Sequence, residues 1–510
     1  MCYIISIMKN LLIGHSYKYA LEQIQLMLFP DSRPEYPSED LLCGNDGMLP
    51  DGTCVSALYT GKVWCTSVCT IYLAGKAHIG RARAKTADFS DDLMRTRLLQ
   101  RAVKMAFYRA ALTSGLPKPV WGALSGIRPG KLLTQRLDAG ESPKAALSGF
   151  CREYDVEPAR GALCLETAQR ALAVRSALDK RDICLYIGIP FCPTRCAYCS
   201  FVSNSVEKSM KLISPFLDAL LLEVDAAAET VKKLGLRIIS VYMGGGTPTT
   251  LTAEQLDILC GRLQERFDLR SLREYTVEAG RPDTITAEKL TVLRRYGVDR
   301  ISVNPQTMSD SVLEVIGRRH SASDILRAID LVRNAGGFAI NMDLIAGLPT
   351  DTPEGFSKTL DAVLALAPEN ITVHTLALKK GSRITLARTE GGELSLPGAA
   401  QIGQMLSEAN SRLQGNGYAP YYLYRQKYMS GGFENVGWAK EGYDSLYNIC
   451  IMEELCSILA LGGGASTKLV DAERGYIERI FAPKYPQEYI AGISNTIQEK
   501  SKVEDFYREL

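Results

Sequence analysis

The chain has 510 residues, 46% of them hydrophobic and 23% charged, with a net charge of +2. That length exceeds what one hydrophobic core organises and predicts two or three domains, while the near-neutral balance gives no reason to expect a nucleic-acid or anionic-membrane surface. The 14 cysteines follow no disulfide framework and fit a reducing, cytoplasmic setting, and the 4 histidines nearly exclude a histidine-rich metal site.

Residues 1–12 are apolar but broken by Lys9 and soon followed by His15 and Lys18. They lack the basic start and small-residue cleavage site of a secretory signal, and no apolar run is long enough to span a bilayer. Residues 63–73 and 77–83 read as strands joined by the turn Ala74-Gly75-Lys76. Ser90, Asp91 and Asp92 can cap a helix over 93–112. The stretch 121–131 (WGALSGIRPGK) is punctuated by glycine and proline and reads as a loop. A helix over 158–178 leads into a linker at 179–182, closing an N-terminal α/β domain of residues 1–180.

From residue 183 strands and helices alternate. Strands are expected at 183–189, 237–243, 274–278, 300–304, 338–344 and 371–376, separated by helices such as 215–234, 253–267, 287–296, 323–335 and 352–366. Buried strands alternating with amphipathic helices imply a parallel sheet of βαβ units. The expected fold class is therefore α/β, a partial (β/α)6 barrel over 181–380, with active groups on loops at the C-terminal ends of its strands. Residues 381–510 change character: aromatics cluster at 418–424 and 459–468 (LALGGGASTK) is rich in glycine. They read as a small C-terminal domain closing the barrel mouth.

The chemistry concentrates in Cys192, Cys196 and Cys199, a C-x3-C-x2-C run directly after the first barrel strand. A structural zinc site pairs two such knuckles or adds histidines at fixed offsets, and an electron-transfer iron–sulfur cluster takes four cysteines. Neither completion lies nearby. Three thiolates without a fourth suit a cluster that keeps one iron free for a substrate or cofactor. Cys65 and Cys69 share the C-x3-C spacing but have no third partner, and on a strand they read as packing residues.

Further motifs follow in order: Gly244-Gly-Gly-Thr-Pro248 after the second strand, Glu278 after the third, then Asn304-Pro-Gln306, Arg318-Arg-His320 and Asp343-Leu-Ile-Ala-Gly-Leu-Pro349. With the cysteine run, they resemble the radical S-adenosylmethionine (radical SAM) superfamily, in the branch of oxygen-independent coproporphyrinogen III oxidase and its relatives. The flanks 121–131, 421–440, 446–454 and 459–468 resemble the HemZ-type coproporphyrinogen dehydrogenases.

The resemblance implies that Cys192, Cys196 and Cys199 hold a [4Fe–4S] cluster whose free iron takes S-adenosyl-L-methionine. It places cofactor contacts at Gly245, Gly246, Thr247, Glu278, Gln306, Arg318 and Asp343, with Tyr186, Tyr198 and Ala377 as weaker carry-overs. It implies oxidative decarboxylation of two propionates of coproporphyrinogen III to give protoporphyrinogen IX in haem biosynthesis. A flavodoxin- or ferredoxin-like electron donor and an electron acceptor go with that reaction, with no nucleic-acid or membrane partner. Arg128, Arg425 and Lys427 are candidate clamps for the tetrapyrrole carboxylates, with Tyr422 and Tyr424 as walls.

Two positions depart from the better-known oxidase. Gly188 stands where it has a histidine, and Ser200-Phe201 follows the third cysteine where it carries a further cysteine. The alternatives are a haem-binding chaperone with the same barrel and a radical SAM enzyme acting on haem. The chaperone type starts close to its cluster motif, whereas about 180 residues precede it here.

Overall fold

The computed structural model describes residues 5–37, 49–199, 204–205, 209–378, 382–385, 395–426 and 430–510. Ser200, Phe201 and Lys427 lie outside the described residues. The chain divides into two compact units, residues 1–127 with 136–162 and residues 128–135 with 163–510. Among the described residues no helix is long and apolar enough to cross a membrane.

The first unit is a mixed sheet in the order β2-β1-β3-β4-β5, with β1 (Ile7–Ile13), β2 (Arg33–Glu35), β3 (Thr53–Thr60), β4 (Trp64–Leu73) and β5 (Lys76–Lys85). β4 and β5 form the expected antiparallel hairpin. β1, β2 and β3 escape the sequence reading; β1 begins within the apolar N-terminal stretch. The helix Asp92–Thr113 starts where Asp91 accepts the Met94 amide at 2.7 Å, satisfying one of its free N-terminal donors. Its Val103, Ala106, Phe107 and Ala110 pack with Met8, Cys54, Leu58, Cys65, Cys69 and Ile71. Cys65 and Cys69 are thus core residues, with Cys69 Sγ 3.5 Å from Cys54 Sγ.

The second unit is built on one eleven-stranded sheet. Its parallel centre comprises β6 (Asp182–Ile189), β9 (Arg237–Gly245), β10 (Glu274–Glu278), β11 (Arg300–Ser302), β12 (Ala339–Ala346) and β13 (Asn370–Thr375), each beside the next. These are the six expected strands, with ends moved by at most a few residues. β7 (Phe191–Cys192) and β8 (Asn204–Ser205) make a separate short pair. The intervening helices begin at the polar residues the sequence offers. Thr252 and Gln255 form a capping box at Ala253–Arg266, and Ser321 with Asp324 forms one at Ala322–Ala335. Apolar faces such as Leu256, Leu259 and Leu263 are buried, at roughly 1.5–3 kcal/mol for each fully buried large aliphatic side chain.

The strands after residue 380 extend this sheet instead of building one of their own. β14 (Ala419–Arg425) and β15 (Glu434–Ala439) add antiparallel to one another, with β15 antiparallel to β13. At the other edge β16 (Ser457–Gly462) runs parallel to β6, followed by the antiparallel β17 (Ser466–Asp471) and β18 (Tyr476–Phe481). The sheet ends in two edge strands, β14 and β18, so the barrel is partial.

Candidate active site

Register places the motif residues along one edge of the sheet. Gly188 is opposite Gly244, Met243 opposite Val277, Glu278 opposite Ser302, and Ser302 opposite Asn341. Strand after strand, the chain therefore leaves the sheet at the same C-terminal edge, where a parallel sheet collects its functional loops.

The cysteine loop is tied to the glycine turn beside it. The Gly246 amide donates to Ile189 O at 2.7 Å and the Thr247 amide to Phe191 O at 2.7 Å. Thr247 Oγ1 donates to Cys192 Sγ at 3.5 Å. A Cβ on Gly246 would lie 2.4 Å from Phe191 O, and Gly245 has a φ of +100°. The turn thus requires glycine, both for close approach and for a left-handed backbone.

Two arginines serve Cys196. Arg281 Nη1 donates to its sulfur at 3.4 Å and Nη2 donates to Thr194 Oγ1 at 2.6 Å. Arg318 is buried, donates to Asn304 O and Gly280 O, and donates to Tyr198 Oη at 3.3 Å. Burial of the Cys196 thiol opposes its ionisation, but Arg318 and Arg281 outweigh that and bring its pKa below the ordinary thiol value. Arg281 was not singled out from the sequence. Its signal was a cation three residues past Glu278, at the same edge.

The carboxylates follow. Tyr242 Oη donates to Glu278 Oε1 at 2.6 Å. Burial pushes the Glu278 carboxyl up to about 7, against the pull of that hydrogen bond, and Asp343 adds to the rise while His374 opposes it. Asp343 is held below its usual range: burial opposes, but contacts with His374, Asn341 and Thr372 prevail. Asn341 Nδ2 donates to Asp343 Oδ1 at 2.9 Å, and His374 Nε2 lies 3.8 Å from Asp343 Oδ2. Gln306, at φ +68°, donates its amide to Asp343 O at 2.8 Å. Tyr186 stacks 6.3 Å from Tyr242 and 6.1 Å from Tyr447, and Tyr242 stacks 4.3 Å from Tyr447. Ala377 follows β13 at the same edge.

The candidate substrate clamps separate. Tyr422 Oη lies 3.4 Å from Thr372 Oγ1 and Tyr424 Oη lies 3.5 Å from His374 Nδ1, so both flank the Asp343 group. Arg425 is buried and donates to Gly432 O at 3.1 and 2.6 Å. Arg128 is committed elsewhere. It pairs with Glu454 at 2.5 Å, and Glu454 lies three residues before β16, at the sheet end away from Cys192, Cys196 and Cys199. Lys131, Lys468 and Arg479 meet the same carboxylate. Arg128, Lys131, Glu454 and Lys468 of the flanking motifs 121–131, 446–454 and 459–468 therefore form a charge cluster away from Cys192, Cys196 and Cys199, while Tyr447 and Gly463 of the same motifs lie toward the cofactor edge. Gly188 also has a steric reason: a Cβ there would meet Gly463 O at 3.2 Å and Leu461 O at 3.4 Å, because β16 lies against β6.

Residues 186–363 match the Radical SAM superfamily. A HemZ protein of Bacillus subtilis, described as oxygen-independent coproporphyrinogen-III oxidase-like, is 40% identical over 385 residues, covering 75% of this chain and 76% of its own. The chain belongs to the radical SAM superfamily, among the HemZ-like proteins. A heme chaperone HemW of the same bacterium is 32% identical over 51% of this chain and 67% of its own. The solved coproporphyrinogen III oxidase HemN of Escherichia coli shares the fold at a TM-score of 0.51 and 24% identity, over 65% of this chain and 73% of that one.

Radical SAM proteins use a [4Fe–4S] cluster and S-adenosylmethionine, and the residues here fit both. The donor set is three cysteines on one loop, with Cys196 biased toward thiolate. Asn304 Oδ1 and Arg318 Nε are buried at the same edge without a hydrogen-bond partner in the protein, which suits a polar guest.

Proposed function

We propose that this chain is an oxygen-independent coproporphyrinogen III oxidase, converting two propionate side chains to vinyl groups with loss of CO2 in haem biosynthesis. The observation that carries the proposal is 40% identity to a coproporphyrinogen-III oxidase-like HemZ over three-quarters of both chains, together with a cofactor edge whose motifs all converge. When bound, the cluster and S-adenosylmethionine would supply the one-electron radical chemistry needed at the propionate β-carbon.

The protein's own part is binding and placement. Cys192, Cys196 and Cys199 would hold the cluster, with Arg281 and Arg318 favouring the Cys196 thiolate. The Gly244–Gly246 turn would bring backbone N–H groups against the methionine end of the cofactor. Glu278, oriented by Tyr242, would accept the ribose hydroxyls. Gln306, Arg318 and Asp343 would complete the nucleoside contacts, with Tyr186, Tyr198 and Ala377 beside them. Tyr422 and Tyr424 would wall the tetrapyrrole on the β14 side, with Arg425 stiffening the strand beneath. A flavodoxin- or ferredoxin-like donor would deliver the electron, and an acceptor would take the one left after CO2 loss.

The second reading is a haem chaperone, favoured by the similarity to HemW and by the closed space at Gly188. The deciding assay gives the anaerobically reconstituted protein S-adenosylmethionine, reductant and coproporphyrinogen III, and follows 5′-deoxyadenosine and porphyrin products by mass spectrometry. Loss of two CO2 units, abolished by Cys196→Ala, supports the oxidase. Formation of 5′-deoxyadenosine with all four carboxylates retained refutes this substrate. Tight haem binding with neither product supports the chaperone.

A further inference from the structure

Away from the cofactor edge, the second unit buries three more cysteines together. Cys184 lies near the start of β6, Cys450 on the helix Leu446–Glu453, and Cys456 directly before β16. Glu454, in the left-handed conformation at φ +56°, turns the chain after that helix so that Cys456 comes back against Cys450. The three sulfurs all lie within 4.8 Å of one another, and Cys184 Sγ is 3.7 Å from Cys456 Sγ. Sulfurs sharing one metal at bonds of about 2.3 Å stand roughly 3.8–4.0 Å apart. The apoprotein spacing is already close to that of a metal's own coordination sphere.

The surroundings select the ion. Ile239, Leu446, Tyr447 and Ile458 pack around the thiols. A zinc site needs a fourth donor, and none joins the three among the described residues. The nearby carboxylates are already engaged. Asp182 pairs with Arg237 at 2.5 Å, and Glu274 accepts from Ser445 Oγ at 2.9 Å and the Leu446 amide at 2.6 Å. Buried among apolar side chains, the thiols favour an assembly with little net charge.

We propose that Cys184, Cys450 and Cys456 form a second metal site, a three-sulfur cage for a monovalent thiophilic cation of the Cu(I) class. Soft sulfur donors select such ions. Binding one such ion displaces one thiol proton to solvent. One thiolate, two thiols and one monovalent cation leave the cage neutral, with no change of oxidation state.

The test uses the full chain carrying Cys192→Ser, Cys196→Ser and Cys199→Ser, so that the cofactor loop takes up no iron. The protein is titrated anaerobically with Cu(I) against a bicinchoninate competitor, and the bound ion is read by X-ray absorption. One Cu(I) per chain in an all-sulfur shell at about 2.3 Å is expected, with affinity falling at least about tenfold on adding Cys450→Ala. Circular dichroism establishes that this variant is folded. If it is not, stoichiometry and ligand type in the parent decide alone. Failure of the folded parent to compete for Cu(I), nitrogen or oxygen in the shell, or unchanged affinity in folded Cys450→Ala overturns the proposal. Parallel titration with Zn(II) tests the charge argument, and one-to-one Zn(II) binding in preference to Cu(I) overturns it.

Discussion

Glu278 makes the proposed cofactor site dependent on pH. Its carboxyl is raised to about 7, with burial the largest cause, and the groups facing it include Tyr242, Tyr186, Tyr447, Asp343 and His374. Ribose hydroxyls donate to the ionised form, so binding should favour the carboxylate. One pH unit below 7 about a tenth of the group is ionised, and affinity for S-adenosylmethionine should fall to about a tenth of its high-pH plateau. Above about pH 8 the affinity should be flat. Glu278→Gln replaces a charged acceptor by a neutral one, a loss of about 1.5–3 kcal/mol, or roughly 10- to 150-fold weaker binding at pH 8. Its slope between pH 6 and 8 should vanish. The same raised pKa means that the folded protein holds this proton more tightly than the unfolded chain, so the group's contribution to stability falls as pH rises from about 4.5 to 7. The assay is isothermal titration of S-adenosylmethionine into anaerobically reconstituted protein at half-unit pH steps. A flat profile in the parent, or a slope that survives in Glu278→Gln, would refute the reasoning.

Tyr242→Phe removes the hydrogen bond that holds the Glu278 pKa down, so the inflection in the same titration should move to higher pH. Arg318→Met takes away a cation that favours the Cys196 thiolate; iron per chain after reconstitution should drop, and Arg318→Lys should restore part of it. Gly246→Ala drives a Cβ to within 2.4 Å of Phe191 O and should abolish S-adenosylmethionine binding while far-ultraviolet circular dichroism stays unchanged. Glu454→Ala strips the shared carboxylate from Arg128, Lys131, Lys468 and Arg479. Breaking a fully buried pair costs about 3–5 kcal/mol, and the partly exposed Arg128 and Lys131 reduce that to about 1–3 kcal/mol. Faster amide exchange in the helix Leu446–Glu453 should report it, with S-adenosylmethionine affinity unchanged.

Much of the cofactor edge was legible from local pattern. Buried strands alternating with capped helices show in the spacing of apolar residues, and a strand's C-terminal end is where the next loop must begin. Cys192, Gly246, Glu278 and Gln306 could therefore be assigned to one edge from order alone. Arg128 shows the limit: its motif was visible, but not the Glu454 that neutralises it more than three hundred residues later. Tyr242 and Arg281 were likewise ordinary in sequence and acquire meaning only through what they touch.

The sequence by itself determined the six central strands, the helices between them and the cysteine loop, because each depends on residues close together in the chain. Only the tertiary structure decided which strands became neighbours. β16 pairs with β6 across about 270 residues, closing the space beside Gly188 and carrying Cys456 to Cys184. Such pairings rest on backbone hydrogen bonds, which any residue but proline can make. Side-chain pattern therefore gives little hint of them until the whole sheet is assembled.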